Sequence, residues 1–333
     1  MILILSIDFE TSTDIIEEWL NFYGASYKRV NSSFYMNSLC DINPFEDRIE
    51  FSTGEVIHPS MINVVYNRRW SPNFYLRYRA EMNEAKNLNV LDFIKAENQE
   101  FGRYFKSRFL SAKWIDNEPN SLVTKIDQLV VAASCGMKVP KTIICNSKDS
   151  LIRFMELNGR AITKPIGAQF HQKIDGEGYS TYTEEITAFF LDSLGEKFHP
   201  SLFQEYIDKK FEIRSFYLGG KFYSLAYFSQ EQKETTIDWK RTNYTVDFKK
   251  ELIELPKEVK EKLKLFMKKL GLITGSFDLI FTKQDEFVLL EVNPFGIYED
   301  VSYYGNFNIE KEFAKLLIKY DNTRDKRKHK FIG

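Results

Sequence analysis

The sequence predicts a mixed α/β (α+β) protein: a small N-terminal α/β unit followed by two further mixed units. Three observations carry that expectation. The chain opens strand, helix, strand, the order that builds a parallel sheet covered by helices. Later, two alternating runs, 211–218 and 221–228, are split by Gly219-Gly220, a two-residue hairpin signal. Finally, residues 275–296 (GSFDLIFTKQDEFVLLEVNPFG) form a second hairpin, delivered by an amphipathic helix over 256–270.

The elements follow in order. Residues 2–7 are continuously apolar, as for a strand covered on both faces. Thr13-Asp14 open a helix with Ile15, Ile16, Trp19, Leu20 and Tyr23 at helical spacing, and Gly24 closes it. Strands are expected at 26–30 and 63–66, with a hairpin across 50–57 between them. Arg68-Arg69, ending the second strand, admit two readings: an anion site or a solvated terminus. Residues 73–112 carry a helical pattern. A helix capped at Asn120-Ser121 follows, with Leu122, Ile126, Leu129, Val130 and Ala133 as its buried stripe. Then come a strand over 139–145, a helix over 147–157 capped by Ser147, a strand over 160–164, and a polar segment over 167–180. A helix at 183–194 and a strand at 202–207 lead to the first hairpin. The helix at 256–270 (Val259, Leu263, Phe266, Met267, Leu270) ends at Gly271, and a closing helix spans 309–320 before a basic tail, 324–330, read as a solvated end.

Composition excludes several classes. With 333 residues, 43% hydrophobic, the chain is long enough for two or three units with cores. Lys and Arg (46) nearly balance Asp and Glu (47), so no global field points to nucleic acid or membrane. Cys40, Cys135 and Cys145 lack metal-site or disulfide spacing and read as reduced thiols. No signal-peptide pattern opens the chain and no apolar run is of membrane-spanning length. The expectation is a cytoplasmic protein. The 29 Phe and 18 Tyr fit well-filled cores.

The chemistry gathers on the 275–296 hairpin. With a period of two, Glu291 and Asn293 share one face while Val288, Leu290 and Val292 take the other. Antiparallel pairing would bring Asp278 beside them: two carboxylates and an amide, the hard oxygens that suit Mg²⁺ sharing its shell with phosphate. The plain structural alternative is the wet side of a half-buried hairpin.

The order of Lys125 at a helix start, Lys164-Pro165 ending a strand, a Gly-containing segment, Gln204-Glu205-Tyr206-Ile207, Glu212-Ile213-Arg214, and Asp278 with Glu291-Val292-Asn293 resembles the ATP-grasp ligases over 114–320. The N-terminal unit stands where that family carries a pre-ATP-grasp domain. The implied domains are 1–113, pre-ATP-grasp; 114–200 and 201–322, the central and C-terminal ATP-grasp subdomains; and 323–333, the tail. The 120–125 run Asn-Ser-Leu-Val-Thr-Lys, Lys164-Pro165-Ile166-Gly167 and the 238–243 run Asp-Trp-Lys-Arg-Thr-Asn resemble its peptide-maturing branch. That branch holds the graspetide (microviridin-type, ω-ester peptide) synthetases, and the nearest group is the grasp-with-spasm maturases.

The resemblance implies an ATP- and Mg²⁺-dependent ligase. It would phosphorylate Asp or Glu side chains of a ribosomal precursor peptide and join them to Ser, Thr or Lys side chains. Lys125 and Lys164 would hold phosphates as point charges. Gln204, Glu205, Tyr206 and Ile207, with edge amides and carbonyls free, would read adenine, and Asp208 the ribose. Asp278, Glu291 and Asn293 would hold Mg²⁺, with Asn293 also near the nucleotide. Arg214 would clamp the γ-phosphate or acyl phosphate. Asp238 and Arg241 would contact the substrate peptide, and Glu212 is the candidate general base. The segment 167–180 would close as a flap. It departs from the compact glycine-rich loop of many relatives, because Gly167, Gly176 and Gly178 are spread out. A leader peptide would bind near the 211–228 hairpin, and a homodimer is implied.

Each role has a structural alternative. Lys125 on an exposed helix face is ordinarily solvated, and Glu212 with Arg214 can form a surface ion pair worth under ~1 kcal/mol. Residues 238–241 can be an ordinary loop, and His171 and His199 receive no role. Two functional alternatives stand beside the macrocyclase: an amide ligase adding amino acids such as glutamate, and a non-catalytic ATP-binding regulator.

Overall fold

The N-terminal apolar run becomes β1 (Ile2–Ser6), buried along its whole length as its composition requires. It is followed by α1 (Thr11–Phe22), β2 (Tyr27–Asn31), the small sheet β3 (Leu39–Ile42), β4 (Ile49–Phe51) and β5 (Val56–Ile57), then β6 (Val64–Asn67), α2 (Leu88–Ser107) and β7 (Lys113–Ile115). The computed structural model describes residues 1–32, 38–70, 88–115, 123–167, 171–174, 177–229, 249–294 and 296–328. The chain divides into two units, Met1–Glu118 with Asn308–Gly333, and Pro119–Phe307.

In the first unit β1 pairs in parallel with β2 and β6, and β6 with β7, giving the order β2-β1-β6-β7. Leu3, Leu5 and Val65 pack with Phe105 of α2 and with Phe109 just beyond its end. The other face takes the closing helix Ile309–Lys328, whose Phe313 ring lies 4.6 Å from that of Tyr66. Asp321 of that helix accepts from the N-terminal ammonium and from Asn63 Nδ2, both at 2.8 Å. The helix continues eight residues past the expected end at 320, so the stretch read as a solvated tail is helical through Lys328.

The second unit holds α3 (Lys125–Ser134), β8 (Thr142–Ser147), α4 (Lys148–Asn158), β9 (Ala161–Lys164), β10 (His171–Ile174), β11 (Glu177–Ser180), β12 (Glu184–Glu185), α5 (Ala188–Ser193) and β13 (Lys197–Glu205). After these come β14 (Lys209–Leu218), β15 (Lys221–Tyr227), β16 (Lys250–Leu252), α6 (Lys257–Leu270), β17 (Thr274–Thr282), β18 (Phe287–Asn293) and α7 (Glu299–Gly305). A four-stranded sheet, β12-β9-β13-β8, and a five-stranded sheet, β16-β15-β14-β17-β18, organise it. β10 and β11 pair as a hairpin within the expected flap.

Several expectations are corrected. Thr124, not Asn120-Ser121, caps α3, its side chain accepting from the Asp127 amide; residues 116–122 lie outside the described ones. The later start selects a different stripe: Gln128, Leu129 and Ala132 are buried, while Val130 and Ala133 face out. The expected helix 183–194 begins as a strand, because Glu184 and Glu185 pair with Thr163 and Ile162 and Thr187 caps only the short α5. Residues 202–205 pair with β8 and β9, so they belong to the four-stranded sheet and do not open the unit that follows. The strand expected from 139 starts at Thr142. The described part of the 73–112 helix is α2, residues 71–87 lying outside.

One face of the five-stranded sheet packs on α6, joining Ile213, Tyr217, Phe277, Leu279, Leu289 and Val292 to Leu263, Phe266 and Met267. Gly271, left-handed at φ 69°, ends α6 as expected. The strand alternation read from the sequence fails at one point. Asp278 pairs with Glu291, but Leu279 pairs with Leu289, so Leu290 is the extra residue of a β-bulge. The bulge reverses the parity before Glu291, placing Leu289 rather than Leu290 in the core beside Val292.

Candidate active site

The opposite face of the five-stranded sheet carries charge. Antiparallel register sets Arg214 of β14 opposite Asp278 of β17, and Asp278 opposite Glu291 of β18, one row of three charged side chains across three strands. The neighbouring row is Phe216, Ser276 and Asn293. The juxtaposition expected of Asp278, Glu291 and Asn293 is therefore realised, and Arg214 joins it. Arg214 is buried, with Nε 3.3 Å from Asp278 Oδ1. Among the described residues no three His, Cys, Asp or Glu side chains form a metal-holding group by themselves.

Lys125, the first residue of α3, reaches this row. Its Nζ lies 3.9 Å from Glu291 Oε2 and 3.4 Å from the carbonyl of Pro165, just beyond β9. One helical turn on, Gln128 turns inward: its Oε1 accepts from the buried amide of Val292 at 2.9 Å. That bond fixes α3 against β18 between Glu291 and Asn293. The sequence alone gave no sign of it, since Gln128 sits in the α3 pattern as an ordinary polar position. Lys164, partly buried, ends β9 opposite Leu202.

The segment expected to read adenine is arranged differently from the expectation. β13 is an interior strand between β9 and β8, so its amides are not free. The amide of Glu205 donates to Lys141 O at 3.0 Å and that of Tyr206 to Arg160 O at 2.8 Å. The Glu205 carboxylate accepts from the Lys141 amide at 2.8 Å. Gln204 is buried and donates through Nε2 to Thr142 Oγ1 at 3.0 Å, while its Oε1 has no donor among the described residues. Tyr206 lies under the Arg160 guanidinium, 3.7 Å from the ring centre. Arg160 also grips Glu185 with two bonds, 2.6 and 2.8 Å, which holds the Glu185 carboxyl below its ordinary range. Ile207 is half-buried, and Asp208 is exposed, 3.9 Å from Lys283 Nζ.

Glu212 does not pair with Arg214. Its Oε1 accepts from the buried Lys209 ammonium and from Ser229 Oγ at 3.2 Å, an arrangement set by the bulge between Lys209 and Phe211. Opposite Glu212 stands Tyr227, which sequence reasoning missed. Its hydroxyl donates to Asp300 of α7, and burial, then the Asp300 carboxylate, push its pKa far up. The only sequence sign of this pair is the acidic Glu299-Asp300 start of α7. Gly296 lets the chain pass close to β17, since a Cβ there would lie 2.3 Å from Ser276 Oγ and 2.7 Å from the Ser276 amide nitrogen. Asp238 and Arg241 lie in 230–248, outside the described residues.

The fold is that of the ATP-grasp ligases. The chain superposes on the Chryseobacterium gregarium RiPP-associated ATP-grasp ligase, solved with ADP and a leader and core peptide, with a TM-score of 0.83 and 22% identity, covering 96% of each chain. It superposes on the macrocyclase MdnC of Microcystis aeruginosa, bound to its precursor peptide MdnA, with a TM-score of 0.81 and 22% identity over 96% of this chain and 99% of that one. The ATP-grasp ligase PsnB, complexed with a precursor variant, Mg and ADP, gives 0.73 and 18%, over 96% and 98%. No family model and no curated protein matches the chain. Among the described residues no helix is long and apolar enough to cross a membrane.

Proposed function

We propose that this protein is an ATP-dependent peptide macrocyclase, which activates Asp or Glu side chains of a ribosomal precursor and joins them to Ser, Thr or Lys side chains as ω-esters or ω-amides. The observation that carries the reading is the row Arg214–Asp278–Glu291 with Lys125 beside it. Two cations flank two carboxylates on a face whose reverse is a packed core. A carboxylate is a poor electrophile, and activation by the γ-phosphoryl of ATP needs positioning and charge neutralisation more than covalent help. The ADP, Mg and precursor peptides in the similar structures support the same reading.

In this reading Asp278, Glu291 and Asn293 hold Mg²⁺. The donor chemistry fits, since two carboxylates and an amide are hard oxygen ligands that leave positions for phosphate and water. Bound there, Mg²⁺ supplies charge neutralisation to the phosphate oxygens. Arg214, held by Asp278, presents its planar fork to the transferring phosphoryl group. Lys125 and Lys164 hold phosphate oxygens, and Gln204 to Asp208 line the nucleotide. The unmatched Gln204 Oε1 is an acceptor suited to an exocyclic amine. With their amides engaged, Glu205 and Tyr206 contribute through carbonyls and ring. Lys209 and Ser229 on Glu212 make it a positioning group for the strand more than a free base. Asp238 and Arg241 remain assigned to the substrate peptide, with Arg241 meeting an acidic side chain of its core, and the assembly proposed is a cytoplasmic homodimer.

The test is mass spectrometry of a candidate precursor, a short Thr/Glu-rich peptide encoded beside this gene, incubated with the protein, ATP and Mg²⁺. One water lost per ring, reversed by mild base, is expected of esters, and base-resistant loss of amides. Glu291→Ala should slow ring formation by about 10²–10³-fold. A mass gain from added amino acids would replace this reading with an amino-acid ligase.

A further inference from the structure

One step of the proposed reaction still lacks a residue. The acceptor hydroxyl must lose its proton as it attacks, and Glu212, the candidate base, is held by Lys209 and Ser229. A second carboxylate stands over the charged face of the five-stranded sheet. It belongs to Asp300 of α7, whose Oδ2 accepts from the Tyr227 hydroxyl and whose Oδ1 accepts from the Val301 amide at 2.9 Å.

Strand register fixes where Asp300 stands. Across β15 and β14 the charged face carries successive rows: Tyr227 with Glu212, Leu225 with Arg214, and Tyr223 with Phe216. The α7 segment is fastened to the two outer rows. The ring of buried Tyr298 lies 4.6 Å from that of Phe216, and the ring of Phe307 lies 5.3 Å from that of Tyr223. Asp300 reaches the opposite outer row, at Tyr227. The chain from Tyr298 to Asp300 therefore spans the middle row, the one that holds Arg214. Tyr227 is the diagonal neighbour of Arg214, a separation of about 7–8 Å across paired strands. Arg214 and Asp278 both bear electrostatically on the Tyr227 hydroxyl.

The two side chains have different exposures and different tasks. Tyr227 is 1% exposed, and burial, then the Asp300 carboxylate, keep its phenol protonated, so it serves as a fixed donor. Asp300 is half-buried. Each carboxylate oxygen carries two lone pairs, so Asp300 can accept a further proton beside these two bonds. Other charged groups stand near α7. Lys250 of β16, opposite Tyr227, lies over the Tyr304 ring, 4.1 Å from its centre. Glu299 accepts from the Tyr298 amide at 2.9 Å. Glu251 pairs with Ala226, which sets it on the other face of the sheet.

We infer that Asp300 is the general base for the acceptor hydroxyl, held in place by Tyr227. The inference rests on the macrocyclase reading and fills a role within it. With phosphate bound toward Glu291 and Lys125, the acceptor reaches the acyl carbon from the β15 side, where Asp300 stands. The hydroxyl oxygen forms its bond to that carbon, and its proton passes to the Asp300 carboxylate. The bond from the carbon to the phosphate oxygen breaks, and phosphate leaves with the electron pair. Asp300 then gives the proton to solvent. A base so placed acts when it lies within hydrogen-bond reach of the proton it takes. Tyr227 acts through Asp300 and is a positioning residue.

The experiment separates the two half-reactions, using the full chain, the Thr/Glu-rich precursor, ATP and Mg²⁺. Mass spectrometry follows ring closure, and added hydroxylamine traps the acyl phosphate as a hydroxamate without needing a protein base. Asp300→Asn should form hydroxamate at the parent rate but close rings about 10²–10⁴-fold more slowly. Tyr227→Phe keeps the aromatic ring and loses the donor, and it should slow closure by about tenfold with trapping intact. Glu291→Ala should slow both steps together. Ring closure at the parent rate in Asp300→Asn would overturn the inference and leave the macrocyclase reading standing. Equal loss of hydroxamate and rings in folded Asp300→Asn would also overturn it, since that loss would place Asp300 in carboxylate activation. Neither product from the parent chain would end the macrocyclase reading, and this inference with it.

Discussion

The two sheets of the second unit use the same antiparallel geometry for different ends. The five-stranded sheet sets its charged row across the middle of one face and anchors the other face on α6 through a continuous apolar core. The four-stranded sheet has a smaller core of Leu151, Phe154, Ala161, Ile186 and Phe203, and its candidate residues lie at strand ends. Polar bridges do much of its local tying, Arg160 to Glu185 and Tyr206 among them. A charged row needs a stiff backing, because buried Arg214 and half-buried Asp278 are costly unless their geometry holds. Strand-end groups can be set by local bonds. The difference suggests where rigidity and where adjustment belong in one ligase fold.

Substitutions at three positions press on that comparison. Leu289→Ala opens the core directly beneath the charged row and should lower unfolding stability by about 2–5 kcal/mol in urea titrations. A loss below ~1 kcal/mol would mean that the bulge does not place Leu289 as described. Gln128→Leu leaves the buried Val292 amide without its acceptor, at a cost of about 1–3 kcal/mol, while Gln128→Glu should keep most of the bond. If both variants melt like the parent, α3 is not fastened to β18 through this side chain.

The smallest effect belongs to the four-stranded sheet. The Glu185 carboxyl is held below its ordinary value by its bonds to Arg160, with Arg160 partly exposed. A depressed folded pKa adds stability above the unfolded carboxylate pKa and loses it as pH falls through the folded value. Glu185→Gln should therefore cost under ~1 kcal/mol at neutral pH, and the difference should fade in acid. A gap that persists or widens toward acid would show that the pair is not the source.

Much of the fold was legible because local patterns and tertiary need agreed. The Gly219-Gly220 turn, the Ser147 cap, the Gly271 terminus and the β1 run each satisfy a backbone requirement that a single residue type announces. The candidate row was legible too, because period two and a short turn bring Asp278 to Glu291. What stayed hidden were arrangements with long sequence separation. Gln128 meets Val292, Tyr227 meets Asp300, and Glu184 and Glu185 leave a helical pattern to pair with β9. Nothing local distinguishes those residues from ordinary surface positions.

The sequence by itself determined the order of elements, the hairpins and the types of side chain available for phosphate and metal chemistry. Periodicity and turn chemistry act over a few residues and are written locally. Only the tertiary structure decided that a bulge at Leu290 reverses the strand parity, that β13 is interior so its amides are spent, and that Arg68 and Arg69 share one buried carboxylate, that of Glu10. Those outcomes depend on which strand lies beside which, and pairing across the fold is settled by packing and hydrogen-bond satisfaction among distant segments.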